Sequence, residues 1–200
     1  MRTDFQINAR RTLTSAAVAI AFAAVTPYAL AAGGGGGGAS GGGGVKQTQQ
    51  DMTTCPKGQV WDVKTKRCLA MKSDALPDDQ MVEYAYALAK AQRYDEALQT
   101  LDLLKNPNTP RALNYRGYAT RKLGRTDEGI GYYLKSVAMD PTYAQVREYL
   151  GEAYVLKGKF DLAHQQLDTI GKICGSTNCE EYEDLSKAIA DPNALAHGDI

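Results

Sequence analysis

Asn114-Tyr115-Arg116-Gly117, followed by Gly124 and Asp127, recurs downstream as Tyr149-Leu150-Gly151, followed by Gly158 and Asp161. Gly117 to Gly151, Gly124 to Gly158 and Asp127 to Asp161 are each steps of 34 residues. Upstream, Arg93-Tyr94-Asp95-Glu96-Ala97 matches Lys159-Phe160-Asp161-Leu162-Ala163, and Asp95 to Asp127 is a step of 32. A fixed period of this length marks stacked supersecondary units, none of which buries its apolar face alone. Such stacks present a binding surface more readily than a catalytic pocket.

Between Asp78 and Ala190 the apolar spacing is helical. Val82, Ala85, Tyr86 and Ala89 fall at i, i+3, i+4 and i+7, and so do Ala97, Leu98, Leu101 and Leu104. The pattern predicts helix pairs over 78–91 and 94–105, 110–123 and 127–139, and 144–157 and 160–173, with a single helix at 179–190. Pro107, Pro110 and Pro141 punctuate the turns between pairs, where a helix cannot continue backwards through proline. Gly124 and Gly158 are placed to end the first helix of a pair, and Asp127 and Asp161 fall at or beside the N-cap of the second.

These residues resemble the tetratricopeptide repeat (TPR) family. The middle copy carries Leu113, Arg116-Gly117, Gly129, Tyr133, Ser136 and Pro141, and the third carries Leu150-Gly151, Tyr154, Ala163, Leu167 and Ile170. The first copy is two residues short, with Met81, Tyr84-Ala85, Leu88, Ala97, Leu101 and Leu104. Arg116 stands where the family has Leu. Gly129 stands where it has Ala, at a cost of about 1 kcal/mol in a helix interior. The third copy ends in Cys174-Gly175-Ser176-Thr177-Asn178-Cys179 rather than Pro. The resemblance implies an all-α solenoid of three helix-turn-helix repeats over 78–190, closed by a cap helix whose Glu180, Glu181, Glu183 and Asp184 face water.

The resemblance also implies a concave groove that binds a protein or peptide, lined by the first helix of each pair. The groove candidates are Tyr86, Lys90, Arg111, Asn114, Tyr118, Arg121, Lys122, Glu148 and Glu152. Arg111, Arg121 and Lys122 make the middle repeat basic, and they point to a bound segment with a negative stretch. Tyr94, Tyr133, Tyr149 and Tyr154 fall at packing positions, so they are expected in the core. The Lys/Asn pattern with which some relatives hold a C-terminal carboxylate is not reproduced in full.

Ahead of the repeats, Arg2, Arg10 and Arg11 precede an uncharged stretch from Thr12 to Ala32, and Ala29-Leu30-Ala31 supplies a small-residue cleavage site. Residues 1–31 are therefore read as a cleavable signal peptide, and the protein as periplasmic or secreted from a bacterium. Arg10-Arg11-Thr12-Leu13 partly matches a twin-arginine signal, which leaves two export routes open. Residues 32–54 begin GGGGGGASGGGG from Gly33 and read as a disordered linker. Residues 55–71 read as a small hairpin, and 191–200 as a flexible tail.

Four cysteines permit three pairings. In an exported chain the local pairs, Cys55 with Cys68 and Cys174 with Cys179, are expected as disulfides, since the spacings and the lack of nearby His disfavour zinc. Cys-Pro-Lys-Gly-Gln-Val-Trp61-Asp followed by Cys68 is similar to one hairpin of small chitin-binding modules, which implies carbohydrate binding at Trp61 as an alternative function. The rest of that cysteine framework is missing.

Without residues 1–31 the chain has 20 basic and 22 acidic side chains, which gives no basic excess for nucleic acid. No second apolar run offers a membrane span. The two histidines, His164 and His197, assemble no nucleophile–base–acid set, and the glycine run follows no strand, so neither an enzyme nor a cofactor is expected.

Overall fold

The computed structural model describes residues 55–197; the segments read as signal peptide and linker lie outside them. Two antiparallel strands come first, β1 (Gln59–Asp62) and β2 (Arg67–Ala70), with Trp61 opposite Cys68. Seven helices then alternate between two layers: α1 (Asp78–Lys90), α2 (Tyr94–Asp102), α3 (Pro110–Lys122), α4 (Thr126–Met139), α5 (Ala144–Leu156), α6 (Phe160–Cys174) and α7 (Glu180–Ala190). The α1–α2, α3–α4 and α5–α6 pairs are antiparallel hairpins. Helices α1, α3 and α5 also pack side by side, and α7 lies against α5 and α6. This is the all-α array of three helical pairs and a cap helix that the period implied.

Each pair turns by the same device. Leu88, Thr120 and Tyr154 accept hydrogen bonds from the backbone N–H five residues on, at Arg93 (2.9 Å), Arg125 (3.2 Å) and Lys159 (2.8 Å). That bond is the Schellman closure, and it requires a left-handed residue just before the donor. Gly124 (φ 83°) and Gly158 (φ 68°) fill that position in the second and third pairs. In the first pair Gln92 adopts φ 62° there without the freedom of glycine. The aspartates sit two positions inside the N-caps: the caps are Arg93, Arg125 and Lys159, none of which makes a side-chain cap bond. Asp95, Asp127 and Asp161 therefore act on the first-turn dipole instead. Helix α3 carries a full start signal, Pro110 at its first turn and Thr109 Oγ1 accepting from the Ala112 N–H at 3.2 Å.

Two glycines let the second pair close. A Cβ on Gly117 would meet the Tyr133 ring at 2.5 Å, and one on Gly129 would meet the Gly117 carbonyl oxygen at 2.9 Å. Gly129 is thus demanded by the approach of α4 to α3, and the helix-propensity cost is offset by packing. Gly151 plays the same part for the cap, since a Cβ there would strike Leu185 at 2.5 Å. Arg116, out of pattern in the sequence, crosses to α2 and pairs with Asp102 at 2.6 Å.

The hairpin is not a separate body. Val60 is fully buried in the same apolar cluster as Met81, Tyr84 and Leu88. The Tyr84 hydroxyl donates to the Gln59 carbonyl at 3.0 Å, and Arg93 donates to the Cys55 carbonyl. Both expected disulfides are formed, Cys55–Cys68 and Cys174–Cys179. The second closes the turn at Gly175 into α7, whose Leu185 seals a small cluster with Leu167 and Ile170. The segment read as a flexible tail contains a further short helix, α8 (Pro192–His197), which packs on α5 and α7 through buried Leu195. Among the described residues no helix is long and apolar enough to cross a membrane.

The glycine geometry makes one chemical change act with opposite signs. Gly117→Ala should lower the unfolding free energy by about 1–3 kcal/mol, because the fully buried Tyr133 ring has nowhere to move. Gly131→Ala, on the same pair but with no atom within 4 Å of its new Cβ, should raise it by roughly 0.5–1 kcal/mol. Urea denaturation of the two variants beside the parent chain checks both. Equal effects would show that α3 and α4 are not in the close contact described.

Candidate functional site

The inner faces of α1, α3 and α5, with α7 at one side, line a cleft of about 120 Å³. Helix α1 supplies Tyr86 and Lys90, α3 supplies Tyr118 and Lys122, and α5 supplies Gln145, Glu148, Tyr149 and Glu152. Helix α7 adds Glu180, Glu181 and Asp184. Six of the nine groove candidates therefore meet in one place. The α7 acids are the addition. The sequence assigned them to water because acids in a first helical turn are usual.

The other three candidates lie elsewhere, each for a physical reason. Arg121 is 3% exposed, beneath the cleft floor, and its guanidinium donates to Glu152 at 2.5 Å. Its Nε donates to the Tyr133 hydroxyl at 3.3 Å, and its plane sits over the rings of Tyr118 and Tyr149 at 5.6 and 5.9 Å. Burial opposes the arginine's charge, but Tyr133 and Glu152 outweigh it and hold the group firmly protonated. Asn114 is fully buried between α3 and the start of α5, donating to the Tyr143 hydroxyl at 3.2 Å and to Gln145 at 3.1 Å. Arg111 pairs with Glu83 on α1, at a second cavity of about 240 Å³ that it shares with Trp61. Of the three cations expected to attract a negative stretch, only Lys122 opens into the cleft.

A chain of tyrosines knits the site together. Tyr86 stacks on Tyr115 at 4.4 Å, and its hydroxyl reaches that of Tyr149 at 3.4 Å. Tyr149 in turn packs against Tyr118 at 5.0 Å and Tyr133 at 6.3 Å. Tyr133, Tyr149 and Tyr154 are core residues, as their repeat positions imply, while Tyr94 is half-buried. Tyr118 is 8% exposed, so its ring is as much cleft floor as cleft lining.

Charge is segregated across the cleft. Lys90 and Lys122 stand over the Tyr118 ring at 5.9 and 5.8 Å, where the ring face stabilises both cations. Burial and the neighbouring Arg121 push the Lys122 ammonium below its ordinary range. Opposite them, Glu148 is 7% exposed and makes no hydrogen bond or ion pair among the described residues. Burial first, then Glu152, Asp184 and Glu181, push its carboxyl up to about 9. The sequence signal for this was present in Glu148 and Glu152 one turn apart, but the burial was not.

At the second cavity Trp61 is half-buried against the core, and its indole N–H and the Gln80 Oε1 have no partner. The cluster of Cys174, Cys179 and Glu181 places three potential metal ligands together, but the two sulfurs are joined as a disulfide and offer no thiolate. His164 is exposed on α6.

No protein-family model matches the sequence, and no curated protein matches it either. Among solved structures, the type III secretion translocator chaperone SycD of Yersinia enterocolitica is similar in helical path, at 18% identity and a TM-score of 0.47, over 61% of this chain and 93% of that one. A second SycD structure matches at 20% identity and a TM-score of 0.47, covering 60% of this chain and 87% of that one. SycD in complex with a peptide of the translocator YopD matches at 18% identity and a TM-score of 0.46, over 61% and 94%.

The raised carboxyl fixes a pH dependence. The folded state holds the Glu148 proton up to about 9, whereas the unfolded chain releases it near the ordinary glutamate value of 4.5. The stability linked to that proton is complete below the unfolded value and is lost as pH rises through the window to the folded value. Glu148→Gln, which mimics the neutral form, should therefore match the parent's melting temperature near pH 4 and exceed it increasingly towards pH 9. A constant difference at all pH values would mean that Glu148 is ionised in the fold.

Proposed function

We propose that this chain is a TPR-type adaptor that binds a segment of another protein in the cleft between α1, α3, α5 and α7. The observation that carries this reading is the cleft itself. Three helical pairs and the cap helix converge on one polar concavity whose lining is half-buried, aromatic and charged on both sides. Tyrosine walls give contact area at little conformational cost, and the charged rims give register. Nothing in the cleft resembles a nucleophile with its base, and so the reading is of capture, without turnover. We place the protein in the bacterial envelope as an exported chain, on the residues read above as a signal peptide and on cysteines paired in two disulfides.

A second reading rests on the orphaned Trp61 N–H and Gln80 Oε1 at the smaller cavity, which a hydroxyl-rich ligand such as an envelope carbohydrate would satisfy. Site-specific photo-cross-linking separates the two. A photoreactive phenylalanine analogue replaces Lys90, Lys122, Trp61 or the α6 surface residue Asp168, one at a time, and each chain is irradiated in envelope extract. Protein adducts are expected from positions 90 and 122 and not from 168. Adducts from 168 with none from the cleft positions would reject the proposal. Retention on insoluble peptidoglycan that vanishes in Trp61→Ala would support the second reading.

A further inference from the structure

We infer that the α5–α7 wall of the cleft takes a basic side chain, Lys or Arg, from the bound segment, with Glu148 as its anchor. This rests on the cleft being the binding surface, and it reverses the negative stretch that the basic sequence of the middle repeat implied.

The argument is one of unmatched charge. On α1 and α3 the cleft cations stand over the Tyr118 ring, whose face offsets part of the burial and Arg121 repulsion that disfavour the Lys122 charge. Beneath them Arg121 is paired with Glu152. On α7, Asp184 is paired with Lys187 at 2.8 Å. That leaves Glu148 and Glu181, with Glu180 at the edge, as cleft acids with no ion pair among the described residues. Glu148 is also the most buried of the three, at 7% exposure. Its side chain is largely buried while its carboxyl lines the cleft without a protein partner, so a cationic group entering there gains a charge-assisted bond that the free chain does not make.

An anion entering here would meet Glu148, Glu181 and Asp184 together. A guanidinium or ammonium would meet acceptors on two helices, and the adjacent Gln145 and Tyr149 add polar groups at the same wall. The lysines of α1 and α3 help by repelling a cation from the opposite wall, which orients the segment. Proton linkage follows. A cation favours the ionised carboxylate, so Glu148, held neutral up to about 9 in the free chain, gives up its proton on binding. Affinity then rises with pH towards that value and levels off beyond it.

The test uses the full chain, immobilised, and three libraries of 11-residue peptides with random flanks and a central Lys, Glu or Gln. At about pH 7.5 the Lys library should be retained roughly tenfold better than the Gln library, the scale of one partly desolvated charge pair. Glu148→Gln, near-isosteric and checked by circular dichroism, should abolish that preference. Calorimetry of an enriched Lys peptide in phosphate and in Tris should show close to one proton released by the parent chain and none by the variant. Retention of the Gln or Glu library in preference to Lys would overturn the inference while leaving cleft binding standing. Equal Lys preference in Glu148→Gln would also overturn it, assigning the attraction to the α7 acids. Retention of no library would reject the cleft reading as well.

Discussion

Arg121 and Glu152 form an ion pair inside a cage of tyrosines, and the second and third repeats are held in register around it. A buried guanidinium is tolerated only if its charge and its donors are met, and here Glu152, Tyr133, Tyr118 and Tyr149 meet them from three different helices. The requirement works outward. Tyr133 is fixed in place by Gly117, which has no Cβ to obstruct its ring. Tyr149 passes the constraint to Tyr86 on α1, and Tyr86 to Tyr115. Apolar burial supplies the driving force for the array, as in any stacked repeat. The pair specifies which helix faces meet, because a slipped register would leave a bare charge in the core.

That same arrangement decides what the cleft offers to a ligand. An arginine engaged below the floor adds no attraction for an anion above it. With Arg111 also paired, the middle repeat is far less basic than its composition. The acids of α5 and α7 are left as the unmatched side, and burial makes Glu148 a proton-holding acid at neutral pH. The cap helix, in the repeat pattern only a cover for the last apolar face, thus becomes a wall of the site. Its placement depends on Gly151, whose missing Cβ admits Leu185, and on the Cys174–Cys179 turn that leads into it.

The period and its turn residues were enough to read the helix pairs, their order and the cap, and the short local Cys spacings to read both disulfides, because spacing and turn chemistry are local properties. Six cleft residues were also legible, since position within a repeat largely sets which way an inner-helix side chain points. What escaped was anything that depends on a partner from another helix. Arg121 and Lys122 are neighbours in sequence and look alike, yet one is sealed under Tyr118 and the other opens into the cleft. Gly129 looked like a helix weakened by glycine until the Gly117 carbonyl was found at its back. Asp127 and Asp161 looked like caps by residue type, while the actual caps are basic residues placed by the Schellman turn.

The claim that a single ion pair sets the register is tested most directly by a double-mutant cycle on Arg121→Met and Glu152→Leu, followed by urea unfolding. Each single variant strands a buried charge and should lose about 3–5 kcal/mol of stability. The double variant, which removes both charges, should lose far less than the sum of the two single losses, with an interaction energy of roughly 2 kcal/mol or more. Two small losses that add to within about 0.5 kcal/mol would contradict the account, for they would mean that neither side chain depends on the other.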